Sequence, residues 1–338
     1  MQALSWDFRE RRFVLRHVSR PTPGRGEVLV RIAYSALCGT DNHIMSGVLR
    51  SKAYNDREIV LGHAWSGRVE AVGSGVRDFH PGDSVFGSDY MSCGHCVACH
   101  SGQENLCDNR VVAGMEIPGS HAGYASFPVR LIRRLPRTIS LREGCLLADV
   151  LAVADAAIRR VKVRRVDRIA IYGAGPLGLT IGLLLRKIYG VSKIFLVEPS
   201  AYRRRLAARL FWPSSAPSPT HGFPGHFDIV YEVSGATRAA QDGLRNLRRG
   251  GELVLLGVHD EPLTFSATKI VSRHLRISGS FTYTERDLRR VRRLVSRIGL
   301  YRIITHEKPL SSAAVAYREF QKHRTGTVLL VPREIDRI

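Results

Sequence analysis

Two groups of residues in this chain have types and spacings suited to metal chemistry. The first is Cys93, Cys96, Cys99 and Cys107, in the pattern C-x2-C-x2-C-x7-C. Four thiolates at such short separations can surround one zinc ion tetrahedrally. They leave no open position for a substrate, so this site is expected to be structural. An iron–sulfur cluster or disulfides are the weaker alternatives, because cluster motifs usually place their last cysteine differently and beside proline. His95 and His100 fall inside this lobe and are read as bystanders, since four cysteines complete the set.

The second group is more dispersed. Cys38-Gly39-Thr40-Asp41-Asn42-His43 precedes the lobe, and Gly62-His63 follows twenty residues later. A thiolate and an imidazole are a soft and a borderline ligand that suit zinc. Catalytic zinc needs a third protein ligand and one open position. Asp149 is the first candidate, because a carboxylate in so apolar a neighbourhood is costly without a partner. Cys145, one helical turn earlier, is its rival. Taken singly, a cysteine or a histidine is more often a packed core residue, and the weight rests on the combination.

A third constellation concerns phosphate. Gly173-Ala174-Gly175-Pro176-Leu177-Gly178 fits G-x-G-x-x-G. The first glycine permits the tight turn, the second lets backbone approach a pyrophosphate, and the third lets helix and strand pack closely. A following helix N-terminus offers free N–H groups to the phosphates. Glu198, 20 residues beyond Gly178, closes the next strand, where a carboxylate can hold the adenosine ribose hydroxyls. It would repel the extra phosphate of NADP, so NAD is favoured. The run Arg203-Arg204-Arg205 works against that preference, because Arg203 could turn to a phosphate.

These residues need elements to hold them. Up to about residue 130 the chain reads as β-rich, with apolar alternation through Glu27 to Ile32 and Ser66 to Gly73 and a turn at Pro81-Gly82-Asp83. After about 147 the grammar changes. An apolar helical segment from Leu146 to Ile158 leads to a strand at Arg168 to Tyr172. The glycine turn, a helix from Pro176 to Tyr189 and a strand from Lys193 to Glu198 complete a β-α-β unit. Strands at Asp228 to Val233 and Glu252 to Gly257 extend a parallel sheet. Residues 211–226, rich in proline, glycine and serine, are expected to be a loop. A charged helix near 285–299 and a strand from Thr325 to Val331 close the chain.

Bulk properties narrow the function classes. A chain of 338 residues favours two domains, since single cores stop growing near ~250–300 residues. No apolar run is long enough to span a membrane, and the first residues lack a secretory pattern. A reducing, cytoplasmic compartment follows, in which clustered cysteines bind metal more often than they form disulfides. The net charge of +21, from 51 Lys+Arg against 30 Asp+Glu, is scattered in short arginine clusters. Without a nucleic-acid motif it reads as a solvated face, and nucleic acid is not an expected partner.

Taken together, Cys38-Gly39-Thr40-Asp41-x-His43, Gly62-His63, the four-cysteine lobe and the glycine turn resemble the zinc-dependent medium-chain dehydrogenase family, in its threonine and polyol dehydrogenase branch. Val69-Glu70-Ala71-Val72-Gly73, Glu232-Val233-Ser234-Gly235 and Gly326-Thr327-Val328-Leu329-Leu330 extend the likeness over essentially the whole chain. The resemblance implies an α/β fold: a GroES-like, β-rich catalytic domain over 1–148 with its zinc lobe at about 90–110, a Rossmann domain with a doubly wound parallel sheet over 149–285, and a segment over 286–338 that completes the catalytic domain. It implies two zinc ions per chain and a homodimer or homotetramer. It assigns Cys38, His63 and Asp149 to catalytic zinc, preferring Asp149 to Cys145. It assigns Thr40 to take the alcohol proton and His43 to pass it to solvent.

Three departures from the family stand out. Ala64 replaces the usual Glu after the histidine. Ala156, beside Asp155, replaces a frequent histidine. The region between Glu198 and Asp228 is short, its helix and strand replaced by the proline-rich loop. The activity expected is oxidation of a polar secondary alcohol (a polyol, cyclitol, aminocyclitol, amino alcohol or sugar derivative), with residues from Ser46 to Arg57 lining the cleft mouth. Threonine or a simple alcohol or aldehyde is the alternative substrate. A non-catalytic nucleotide- or RNA-binding protein on the same fold is the remote one.

Overall fold

The computed structural model describes residues 1–49, 58–211, 213–216, 224–259 and 261–332. Two large sheets organise them, beside a three-stranded sheet of Gln2–Asp7, Arg12–His17 and Glu58–Val60 and a two-stranded one of Tyr90–Met91 and Val111–Val112. The first is mostly antiparallel and runs in the order Ile132–Arg134, Ser84–Gly87, Trp65–Val72, Glu27–Ala36, Thr327–Val331, Ile304–Pro309, with Tyr124–Pro128 also paired to Glu27–Ala36. Its long central strand is paired on both sides and buries Val28, Leu29, Val30 and Ile32. Register shifts between Leu29 and Val30 and between Ile32 and Tyr34 bend that strand.

The second sheet is parallel throughout. Its order is Ser214–Ala216, Lys193–Val197, Arg168–Tyr172, Phe227–Glu232, Leu247–Leu255, Arg276–Gly279. In sequence rank that is 3-2-1-4-5-6, the doubly wound arrangement, with its switch point between Arg168–Tyr172 and Phe227–Glu232. Helices cover its faces, so the strands read as near-continuous apolar runs; Ile169, Ala170, Ile171 and Tyr172 are all buried. The architecture is therefore α/β, a β-rich domain joined to a Rossmann domain.

The chain after residue 285 serves both layers. Helix Glu285–Val291 packs beside the segment holding Asp149, tied by Arg290–Asp155 at 2.8 Å and Arg159–Asp287 at 2.6 Å. The chain rejoins the first sheet from Ile304 onward. Asp155, which takes part in one of these pairs, also accepts from the Tyr189 hydroxyl at 3.0 Å. The acid beside the family's missing histidine thus has a structural employment.

The region after Glu198 requires a correction. Helix Ala201–Phe211 and the edge strand Ser214–Ala216 are both present, so the shortened region keeps its helix and strand. The helix carries apolar residues at 206, 207, 210 and 211, the spacing of one helical face. Phe211 fills the space above Gly182, where any Cβ would meet its ring. Three consecutive arginines obscure this stripe in the sequence. Residues 212 and 217–223 of the expected loop, and residues 50–57 of the expected cleft mouth, lie outside the described residues. Among the described residues no helix is long and apolar enough to cross a membrane.

Candidate active site

Cys38 stands at the N-cap of the short helix Gly39–Ser46. Asp41, three residues on, accepts from the Cys38 backbone N–H at 3.0 Å, which fixes the entry to that helix. Thr40 and His43 are three residues apart and share a helix face. The Cys38 thiol lies 3.6 Å from Thr40 Oγ1.

His63 enters from the loop before strand Trp65–Val72, at a bend where Gly62 takes φ +99°, a conformation that favours glycine. Asp149 enters from a π-helical turn, Leu147–Ala152, in which the Leu151 N–H reaches back five residues to the Leu146 carbonyl at 3.0 Å. Such wide turns re-aim side chains, and they recur at functional sites. Asp149 Oδ1 lies 3.6 Å from Cys38 Sγ and 3.5 Å from His63 Nε2. One ligand atom from each of the three residues falls within 4.8 Å of the others. Cys145 points elsewhere, toward the Ala64 and Tyr34 carbonyls at 3.2 and 3.7 Å.

The donor set fits a zinc ion. Both ring nitrogens of His63 are buried without a hydrogen bond, as is Asp41 Oδ1. Such orphans are rare in folded proteins and call for a bound group. Burial and the Asp149 charge push the Cys38 thiol up to about 11. Burial alone would lower His63, yet the charges of Cys38 and Asp149 outweigh it and hold His63 well above its usual value. The cluster is thus an electronegative pocket that gains from a cation.

Behind it stands a support that sequence reasoning left without a role. Asp41 Oδ1 faces His63 Nδ1 at 3.5 Å, and Asp41 Oδ2 accepts from the Tyr317 hydroxyl at 2.9 Å. Tyr317 in turn meets His121 Nε2 at 2.8 Å, and His121 Nδ1 meets Ser35 Oγ at 2.7 Å. A carboxylate on the far nitrogen of a metal-binding histidine fixes its tautomer and orientation. The Cys38-x-x-Asp41 spacing, an acid at the third helical position, was the available signal.

The four-cysteine lobe closes on itself. The sulfurs of Cys93, Cys96, Cys99 and Cys107 all lie within 4.8 Å of one another, and Cys96–Cys99 and Cys93–Cys99 measure 3.5 and 3.9 Å. These separations are far beyond a disulfide bond. Backbone N–H groups of Gly94 and Cys93 donate to Cys99 and Cys107, each at 3.3 Å. The His95 amide, with other neighbours, lowers the Cys93 thiol to about 6. At Cys96 the Cys99 amide lowers the thiol, but the Cys99 thiol and burial outweigh it and raise it to about 11. Sharing four sulfurs' charge in this way also favours a cation at their centre. His95 and His100 are not among the ligand atoms.

The glycine turn meets the carboxyl ends of the parallel strands. Gly173 takes φ +104°, and its N–H donates to the Val197 carbonyl at 2.8 Å. A Cβ on Gly178 would stand 2.0 Å from the Gly173 oxygen, so only glycine allows this packing. Gly175, the N-cap of helix Pro176–Lys187, has nearly open space where its Cβ would be. Pro176 and Leu177 open that helix. Glu198 is buried, and its carboxylate accepts from Ala174 N and Ser200 N, both at 2.8 Å.

Arg203 lies beside the glycine turn, its Nη1 3.7 Å from where a Cβ on Gly175 would stand. It is 5% exposed, and its guanidinium donates to the Thr325 and Phe320 carbonyls at 2.9 and 3.5 Å and meets His323 Nδ1 at 2.6 Å. It ties helix Ala201–Phe211 to the C-terminal segment while its guanidinium stands beside the glycine turn. Arg204 likewise donates to the Glu198 and Pro199 carbonyls.

Two further buried acids had no role in the sequence reasoning. Glu232 ends the strand after the switch point, accepts from Ser234 N and Gly235 N at 2.7 and 3.1 Å, and lies 3.1 Å from His259 Nε2. Asp89 precedes the short strand Tyr90–Met91 and is 6% exposed. Burial and the Asp149 charge raise its carboxyl well above the usual range, against a lowering by His63.

Comparison with known proteins agrees with this geometry. A family model described as alcohol dehydrogenase GroES-like domain matches residues 24–137, and one described as zinc-binding dehydrogenase matches residues 176–297. L-threonine 3-dehydrogenase from Pectobacterium carotovorum is 28% identical over 93% of this chain and 94% of that protein. The L-threonine 3-dehydrogenase of Anaeromyxobacter dehalogenans is 29% identical over 98% of each. Alcohol dehydrogenase TADH from Thermus sp. ATN1 superposes with a TM-score of 0.87 at 27% identity, covering 98% of this chain and 100% of that one. The chain belongs to the zinc-dependent medium-chain dehydrogenase family, and it is an oxidoreductase acting on CH–OH groups.

Proposed function

We propose that the protein oxidises a polar secondary alcohol to a ketone, reversibly, with NAD and two zinc ions per chain. The observation that carries this reading is the convergence of Cys38, His63 and Asp149, with both His63 nitrogens buried and unbonded. Three ligands leave a position for substrate, whereas four cysteines leave none. Bound between those three residues, zinc would supply Lewis acidity at the alcohol oxygen, and the nicotinamide would supply the hydride acceptor.

The residues of the chain do the rest. Thr40 takes the alcohol proton and His43 passes it outward. Asp41 and Tyr317 hold the His63 ring. Gly173, Gly175, Pro176, Leu177 and Gly178 cradle the pyrophosphate, and Glu198 accepts from the adenosine ribose hydroxyls. NAD is favoured because Arg203 and Arg204 are committed to protein partners and Glu198 is an anion. The reading includes a cytoplasmic compartment and a homodimer or homotetramer, supported by six unpaired cysteines and by the resemblance.

Likeness to L-threonine 3-dehydrogenases favours threonine as a second substrate reading. The test is cofactor reduction with NAD and with NADP across polyols, cyclitols, amino alcohols, threonine and simple alcohols, with a chelator control. Chelator-sensitive turnover of a polar secondary alcohol with NAD is the expected result. Turnover of simple primary alcohols alone would contradict it.

A further inference from the structure

A cavity of about 320 Å³ lies where the four-cysteine lobe, the β-rich domain and the chain leading into helix Glu285–Val291 meet. Small-molecule pockets begin near that size, at about 300 Å³. Glu104 faces it from the lobe, between Cys99 and Cys107. Arg130 and Arg133 face it from the turn Val129–Leu131 and the strand Ile132–Arg134, and Tyr90, Tyr283 and Glu285 close the other walls. Cys38, His63, Asp149 and the glycine turn are all absent from its lining, so it is separate from the dehydrogenase site.

The charged residues of this cavity fall into two classes. Arg133 and Glu285 satisfy each other, with Arg133 Nη2 and Nε donating to the Glu285 carboxylate at 2.7 and 3.3 Å. Glu104 and Arg130 are left over. Glu104 Oε2 is buried without a hydrogen-bond partner, and among the described residues no cation pairs with this carboxylate. Arg130 spends one N–H on the Ser92 carbonyl at 2.7 Å, which holds its guanidinium in place, and no carboxylate pairs with it. An anion and a cation thus line one space without pairing with each other. A carboxylate withdrawn from water without a partner is costly, and a ligand that completes it recovers that cost. The tyrosine hydroxyls are already used: Tyr90 donates to the Tyr283 carbonyl at 2.6 Å, and the Tyr283 hydroxyl meets Ser88 Oγ at 3.0 Å. Their rings therefore offer apolar surface that also favours a nearby positive group.

We propose that this cavity is a binding site for a free α-amino acid with an apolar side chain. The ammonium group meets Glu104, the carboxylate meets Arg130, and the side chain lies against Met91 and the tyrosine rings. Two acids and two arginines line the cavity, so a zwitterion enters without leaving a net charge behind. A lone amine or a lone acid satisfies one of the two unpaired groups and strands the other. Because Glu104 belongs to the lobe and Arg130 to the β-rich domain, the bound ligand braces one against the other. Each charge-assisted contact separates the complete ligand from a half-matched one by at least about tenfold.

The experiment uses the full zinc-loaded chain and calorimetry with L-leucine, which has no hydroxyl to oxidise. Isocaproate, the same skeleton without the amine, and isoamylamine, the same without the carboxylate, are the controls. Wild type is compared with Glu104→Gln and Arg130→Gln, and zinc content is counted in each. Saturable binding of leucine by wild type is expected, with both controls and both variants weaker by at least about tenfold and zinc content unchanged. Absence of saturable leucine binding by wild type overturns the proposal. So does full binding in either variant, or controls that bind as well as leucine. Leucine displaced by NADH while both variants bind it normally also overturns it, and places the ligand in the dehydrogenase cleft. If Glu104→Gln sheds zinc from the lobe, Arg130→Gln, which lies outside the lobe, decides: weakened binding there supports the site and full binding rejects it.

Discussion

The two candidate metal clusters of this protein are built in opposite ways. The lobe gathers four sulfurs from a stretch of fifteen residues, with backbone N–H groups of the same stretch supporting them. The Cys38–His63–Asp149 cluster draws on a helix N-cap, a glycine bend and a π-helical turn, and its ends are 111 residues apart. A closed local set can form wherever its loop folds. The dispersed set exists only when the β-rich domain and the start of the Rossmann domain are packed together. The dispersed geometry is thus a product of the whole fold, and the local geometry of a short loop.

This contrast can be broken first at Asp149. Asp149→Ala is expected to lower turnover by more than about 100-fold, since changes even to partners of metal ligands cost 10- to 100-fold. Steady-state oxidation of the best alcohol in the panel checks it. Asp41→Asn, which leaves all three ligands in place, should fall within that 10- to 100-fold range in activity or zinc affinity, read by chelator competition. An effect confined to stability would remove Asp41 from the site. Glu198→Ala should shift the NAD-to-NADP ratio of kcat/KM toward NADP by roughly tenfold, the size of one charge-assisted contact.

The smallest effect concerns the support behind His63. Burial lowers His121 to about 4, from an ordinary value near 6.5. Between these values the unfolded chain binds the extra proton, so stability is full above about 6.5 and falls as pH drops toward 4. The loss is on the order of 2–3 kcal/mol. Urea unfolding between pH 7 and 4 should show a shallower decline in His121→Gln than in wild type.

The same contrast explains what could be read from residues alone. The lobe was fully legible, because its ligands are neighbours and their spacing is the signal. Cys38 and His63 were legible by type, and Asp149 ranked ahead of Cys145 as a carboxylate in an apolar segment, an order the resemblance strengthened. The π-helical turn that carries Asp149 toward Cys38, just after Cys145 has turned to the Ala64 carbonyl, leaves no mark on the apolar pattern. Helix Ala201–Phe211 was hidden by its arginines, and the buried course of Arg203 depends on carbonyls more than a hundred residues away. Asp89 gave no signal at all, since an acid between Gly87 and Tyr90 looks like any turn residue until its burial is known.

The central claim is that one cluster is catalytic and separable from the other, and counting zinc tests it most directly. Metal content per chain, measured on wild type, Asp149→Ala and Cys96→Ser, should be two, one and one. Asp149→Ala should retain the chelator-resistant ion of the lobe. Two zinc ions retained in Asp149→Ala, or both lost together in either variant, would contradict the account.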